Sequence, residues 1–150
     1  MIVYRITLAK YADQLLASGN PARWNSKDVK VIYTAGSRAL ACLENVVHRS
    51  SRGLRGNFRT ILIEIPDNLR VTVVEKENLQ PGWQNFINMP YTQRFGDHWV
   101  RSATAAVLKV PSVIIPEEHN YILNPAHHDF IAIRHLGVEP FEFDTRLPGI

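Results

Sequence analysis

Arg23, Tyr33 and Glu44 stand ten and eleven residues apart in the first third of the chain. Each brings a different chemistry. Arg23 lies in Gly19-Asn20-Pro21-Ala22-Arg23-Trp24-Asn25, a loop by its glycine and proline. Its planar guanidinium suits a diphosphate, to which it makes paired, charge-assisted hydrogen bonds. The same segment also reads as a turn that Trp24 anchors to the core. Tyr33 ends a β-rich run over residues 29–34, where it either packs with a wet hydroxyl or stacks on a ligand ring. Glu44 follows Leu40 by four residues and precedes Val47 by three, which puts it on or beside the buried stripe of a helix. A half-buried carboxylate there needs a partner or a task. An arginine ion pair, His48 at i+4 and a catalytic role all remain open.

Two other clusters invite chemistry. Residues 120–130 read NYILNPAHHDF, and His127, His128 and Asp129 suggest a metal. Neighbours in a chain rarely face one site together, and neither HExxH nor paired Cys/His spacing supports them, so no metal is expected. A turn at Asn124-Pro125 with local capping is the simpler reading. Arg49, Arg52, Arg55 and Arg59 form a basic series that suggests nucleic acid, yet only Phe58 accompanies them as an aromatic. Neither GxSxG, a Walker loop nor GxGxxG is present, which argues against those hydrolase, nucleotide-triphosphatase and Rossmann classes.

The elements that must position these groups are short. Residues 1–8 alternate as a strand, and residues 12–18 suggest a short helix stopped by Gly19-Asn20-Pro21. Residues 37–49 give the clearest helix, with Ser37 as N-cap and Leu40, Leu43 and Val47 at helical spacing. Residues 58–65 and 69–74 read as strands. Residues 91–102 read as a helix with Phe95, Trp99 and Val100 inward. Residues 105–110 and 112–115 form strands split by Pro111, and residues 130–135 and 140–144 are late β-like pieces. Strands and helices do not alternate strictly, so the expected class is α+β, one compact domain over residues 1–150, rather than a doubly wound sheet.

Composition sets the outer bounds. The chain has 150 residues, 45% hydrophobic and 21% charged, as an ordinary globular domain has. Its longest apolar stretches are strand-sized, and its start lacks a signal-peptide pattern. The single Cys42 excludes an internal disulfide framework. The default expectation is a soluble cytoplasmic protein, off the membrane. Residues 1–66 carry ten Lys/Arg against four Asp/Glu, and the rest of the chain seven against ten. That excess draws an anionic partner: nucleic acid, a nucleotide phosphate or an acidic protein.

These residues together resemble the RES-domain toxins of bacterial RES–Xre toxin–antitoxin pairs. The blocks match in the family's order: Tyr4-Arg5, Ala22-Arg23-Trp24-Asn25, Val31-Ile32-Tyr33-Thr34-Ala35, then Ser37, Ala39-Leu40-Ala41, Leu43-Glu44 and His48. Val110-Pro111-Ser112, Glu118 with Asn120, Asn124-Pro125 with His127, Asp129 and Phe130, Phe143-Asp144 and Arg146-Leu147 complete it. Two departures stand out. Asp28 replaces a common glycine, and His128 replaces the proline usual in NPxHPDF.

The resemblance implies a fold similar to ADP-ribosyltransferases and diphtheria-type toxins, with NAD consumed as a substrate at its nicotinamide–ribose bond. It implies that Glu44 stabilises oxocarbenium charge, Arg23 holds the diphosphate or ribose, Tyr33 stacks and Ser112 hydrogen-bonds substrate. Arg5, Trp24, Asn25 and His48 are further pocket members; Asn124 and His127 are weaker ones. Water, inorganic phosphate or a protein would accept the ADP-ribose. It also implies an Xre-type antitoxin, a homodimer within the toxin–antitoxin complex, and any DNA contact made by the antitoxin. A non-catalytic nucleic-acid-binding module using the arginine series is the expectation from a different class.

Overall fold

The computed structural model describes residues 1–49 and 51–147, with the side chains of residues 51 and 52 left out. It contains one mixed sheet of seven strands: β1 (Ile2–Leu8), β2 (Ile32–Ala35), β3 (Phe58–Glu64), β4 (Val71–Val73), β5 (Val107–Pro111), β6 (His119–Leu123) and β7 (Arg134–Phe141). Their order across the sheet is β4-β5-β6-β2-β1-β3-β7. Every pair is antiparallel except β4 with β5. Two α-helices accompany the sheet, α1 (Arg38–His48) and α2 (Met89–Ser102). The expected α+β class is what the chain adopts.

Alternation explains the central strands. In β3, Phe58, Thr60, Ile61 and Ile63 are buried, and in β1 Val3, Ile6 and Thr7 are. Three clusters result. Val3, Ile32, Ile61, Ile63, Val107 and Leu123 fill the middle of the sheet. Leu40 and Ala41 of α1 pack with Ile6, Ala35 and Phe58. Trp24, Trp83 and Trp99 join Leu108, Val110 and Ile122 beneath α2.

Helix α1 begins where its sequence demands, because Ser37 Oγ accepts the Leu40 N–H at 3.1 Å. Its stripe is narrower than the spacing predicted: Leu40 is buried, but Val47 is 57% exposed. In α2, Thr92, Gly96 and Trp99 are buried, whereas Phe95 lies at the surface with its ring edge on Tyr91 and Trp24.

Several expected elements differ. The expected helix over residues 12–18 is absent; a 3-10 turn over Ala9–Tyr11 precedes an irregular segment. Its Ala12 carbonyl receives a ring nitrogen of His135 at 2.7 Å rather than a helical N–H. Residues 112–115 are no strand, since Ser112 Oγ accepts the N–H groups of Ile114 and Ile115 at 3.1 and 3.2 Å and curls the backbone. Strand β6 occupies the start of the segment read as a turn, and one strand, β7, replaces the two late pieces.

Candidate active site

The three spaced residues converge. Arg23, Tyr33 and Glu44 all line one cavity of about 610 Å³, together with Arg5, Trp24 and His48. Strand β1 supplies Arg5, β2 supplies Tyr33, and α1, which follows β2 directly, supplies Glu44 and His48. Arg23 and Trp24 come from the loop before β2. Asn25 and Ser112 stand behind this wall and act on residues that line it.

Glu44 has no arginine partner among the described residues. Its Oε1 accepts the Ser112 hydroxyl at 3.1 Å, and its Oε2 lies 3.2 Å from His48 Nε2. Its side chain is 21% exposed and that of His48 69%. Ser112 is fully buried. Because its oxygen also takes two backbone N–H groups, its proton is directed at the carboxylate. Ser112 therefore fixes Glu44 rather than lining the cavity itself.

Arg5 is a partly buried cation on the same cavity. Its Nη1 donates to the Tyr33 carbonyl at 2.9 Å, and among the described residues no carboxylate lies against it. Burial, and secondarily the Arg49 charge, lowers its pKa. A guanidinium on a cavity wall, with one hydrogen bond among the described residues, suits an anion there.

Arg23 is more committed than its residue type suggests. Nη1 donates to Trp83 O and Asn85 O at 3.2 and 3.3 Å, and Nη2 to Gln84 O at 3.1 Å. The guanidinium thus clamps the loop before α2. Burial lowers its pKa, with Tyr33 opposing.

Tyr33 and Asn25 form a hub. The Tyr33 hydroxyl donates to Asn25 Oδ1 at 2.6 Å and accepts the Trp24 N–H at 3.0 Å. Asn25 Nδ2 donates to the carbonyls of Asn20, Ser26 and Val29. Burial pushes the Tyr33 phenol well above its usual range, so it stays protonated. Asp28, at the departure from the family's glycine, has φ +69° and donates its N–H to Gly19 O at 2.8 Å. That left-handed turn is one where glycine is the relaxed choice and aspartate a tolerated one.

Helix α2 holds this loop from outside. Thr92 Oγ1 donates to Arg23 O at 2.6 Å, Gln93 Nε2 to Ala22 O at 2.9 Å, and Ser26 N–H to Asp97 Oδ1 at 2.9 Å. Between them Gly96 allows contact so close that a Cβ there would fall 1.6 Å from Trp24 O.

The remaining candidates lie elsewhere. His127, His128 and Asp129 bring ligand-type atoms within 4.8 Å of one another. Yet His127 Nδ1 accepts the Asp129 N–H at 3.1 Å, and Nε2 sits 2.8 Å from Ala103 O, so both nitrogens are engaged. His128 opens a 3-10 helix, His128–Ala132, at the first helical position that proline also suits. Asn124 is buried, with Oδ1 on the Ala126 N–H at 3.0 Å. Of the arginine series, Arg49 bonds Asn45 at 2.8 Å and lies over Phe58, and Arg59 bonds Phe58 O at 2.8 Å. Arg55 is exposed, and the Arg52 side chain lies outside the described residues. Sequence reasoning missed Trp83 and Phe86, which lie in a stretch without periodicity.

Comparison with known proteins gives the family and the fold. The family model described as the RES domain matches residues 2–145. A curated relative from Sphingobium sp. (strain YBL2), named Prs ADP-ribosylating toxin, is 41% identical over 91% of this chain and 88% of its own length. A Toxin Res from Yersinia enterocolitica is 32% identical over 98% of this chain and 99% of its own. A chain of the solved M. tuberculosis MbcT–MbcA toxin–antitoxin complex shares the fold, with TM-score 0.76 and 16% identity over 94% of this chain and 84% of that one.

Proposed function

The chain belongs to the RES domain family, and from that premise we propose that it is the toxin of a toxin–antitoxin pair and that it consumes NAD. The observation that carries this reading is Glu44: a carboxylate on the cavity wall, aimed by the Ser112 hydroxyl and not neutralised by an arginine among the described residues.

The chemistry fits that arrangement. The bond between the anomeric ribose carbon and the nicotinamide nitrogen breaks, and its electron pair leaves with neutral nicotinamide. The ribose develops oxocarbenium character, as in glycoside hydrolysis. Glu44 stabilises that charge, and a fixed carboxylate does so without reorganising. Arg5 is the cation with donors left for the diphosphate, and the Tyr33 ring borders the same space. Trp24 and Arg23 line the cavity, and Asn25 braces it from behind through the Tyr33 hydroxyl; His48 lies beside the carboxylate. A strong general acid is unnecessary, because nicotinamide departs uncharged. An acceptor oxygen from water or inorganic phosphate completes the reaction at the ribose carbon and releases its proton.

The name of the 41%-identical relative favours a second reading, in which a protein side chain is the acceptor and the enzyme is an ADP-ribosyltransferase. The nucleic-acid module is less well supported, since Arg49 is tied to Asn45 of α1 and Arg59 to the Phe58 carbonyl of β3. The partner that follows is an Xre-type antitoxin, with a homodimer of this chain, 1–150, in a cytoplasmic complex. An acidic antitoxin segment would be drawn by the same N-terminal charge.

Release of nicotinamide from NAD by antitoxin-free protein, with and without phosphate, tests the reading. Glu44→Gln should keep the fold and lower the rate by roughly 10²–10³-fold, the loss typical of one transition-state electrostatic contact. No nicotinamide from folded wild-type protein removes the proposal. Labelled NAD transferred to lysate proteins favours the second reading.

A further inference from the structure

Phe86 and Ile87 are 81% and 83% exposed, yet they follow directly on a loop whose backbone is held by side chains. Four consecutive carbonyls are engaged. Gly82 O receives Asn88 Nδ2 at 2.8 Å, and Arg23 takes Trp83 O, Gln84 O and Asn85 O. Gly82 turns the chain with φ +79°, and the Asn85 and Asn88 N–H groups close successive turns at 2.9 Å each. Trp83 is buried against Trp24, with ring centroids 6.1 Å apart. A loop fixed at this density does not need two large apolar side chains in water for its own stability.

The two exposed residues differ in one respect. Phe86 lines the cavity that holds Glu44 and Arg5; Ile87 does not. An exposed aromatic face at the edge of such a cavity gains from covering a flat, π-faced ligand. We infer that Phe86 is a substrate-binding residue that stacks on a planar ring of the dinucleotide, and that Arg23 is a positioning residue that holds it there through the carbonyls of residues 83–85. This rests on the NAD reading above and sharpens it. The ring is nicotinamide or adenine; both present the same flat face, and nicotinamide mononucleotide, which lacks adenine, tells them apart.

The test compares wild type, Phe86→Ala, Phe86→Tyr and Ile87→Ala in nicotinamide release against NAD concentration, with thermal melts as a fold control. Phe86→Ala should raise KM roughly ten-fold, within the range that loss of a base–aromatic stack produces, with kcat little changed. Phe86→Tyr should restore the wild-type KM, and Ile87→Ala should match wild type. If Phe86→Ala raises KM for NAD and not for nicotinamide mononucleotide, the ring is adenine; if for both, it is nicotinamide. An unchanged KM in Phe86→Ala, or an equal rise in Ile87→Ala, overturns the assignment. Calorimetry separates the two layers. NAD binding that Phe86→Ala leaves unaltered removes the stack alone, whereas no NAD binding to folded wild type removes the NAD reading and the stack with it. For Arg23, a double mutant with Phe86→Ala should have the KM of Arg23→Ala alone; multiplying effects would show that Arg23 acts independently.

Discussion

Replacing Tyr33 by phenylalanine removes one oxygen and leaves the ring, which makes it the sharpest probe of how this site is held. The lost hydroxyl serves two buried partners, the Trp24 N–H at 3.0 Å and Asn25 Oδ1 at 2.6 Å. Each partner left unsatisfied costs about 1–3 kcal/mol. Tyr33 borders the cavity, so water can reach one of them, and the expected loss settles at about 2–4 kcal/mol. For a chain of this size about 2–4 °C of melting temperature is lost per kcal/mol, so Tm should fall by roughly 4–16 °C. Paired thermal and urea unfolding of wild type and Tyr33→Phe would measure it. Well below both transitions, nicotinamide release should fall less than about ten-fold, because the ring that borders the cavity is still present. A Tm within the error of wild type would refute the hub. A hundred-fold loss of rate at unchanged Tm would place the hydroxyl in the chemistry instead.

Gly96→Ala should destabilise by at least about 1–3 kcal/mol, since its Cβ would fall 1.6 Å from Trp24 O and force α2 off the loop; a melt no lower than wild type would show that the helix can shift freely. Stability should also decline above about pH 10. The buried Tyr33 phenol has its pKa raised, so below the unfolded value both states keep the proton; above it only the unfolded state gives it up, at up to about 1.4 kcal/mol per pH unit. Urea midpoints from pH 8 to 11 would check this, and Tyr33→Phe should flatten the alkaline slope.

Much of the fold is legible in the sequence. Strands β1 and β3 alternate visibly, and α1 announces itself through Ser37 and Leu40. The spacing of Arg23, Tyr33 and Glu44 places them on a loop, the following strand and the following helix, and the sheet brings them to one cavity. What stayed hidden depends on partners distant in sequence. Strand β6 carries His119 and Asn120 at its start and acquires its form by pairing with β2 and β5. The apolar residues at 12–18 are too few to nucleate an isolated helix, and the tertiary bond from His135 decides their path. The resemblance implies that Ser112 contacts substrate; that its hydroxyl donates to Glu44 depends on burial and on hydrogen-bond partners that the sequence does not show.

The same distinction explains how one small cavity keeps two opposite charges in working condition. Arg5 and Glu44 both border it, and among the described residues neither is paired with the other. Had they met, the attraction would have neutralised both and left little field for a ligand. Instead each is held by neutral groups or by a titratable one: Arg5 by the Tyr33 carbonyl, Glu44 by the Ser112 hydroxyl and the exposed His48. Partial burial of that guanidinium, and secondarily the Arg49 charge, lowers its pKa. A molecule that carries a diphosphate at one point and develops positive charge at another relieves both ends at once. A purely anionic ligand would satisfy Arg5 and be repelled by Glu44. That asymmetry predicts that free ADP, which has the diphosphate and no positively charged nicotinamide–ribose, competes with NAD weakly in wild type. Glu44→Gln should strengthen its inhibition of NAD binding, a change that calorimetric competition reads directly; unchanged competition would mean that the two charges do not act on one ligand.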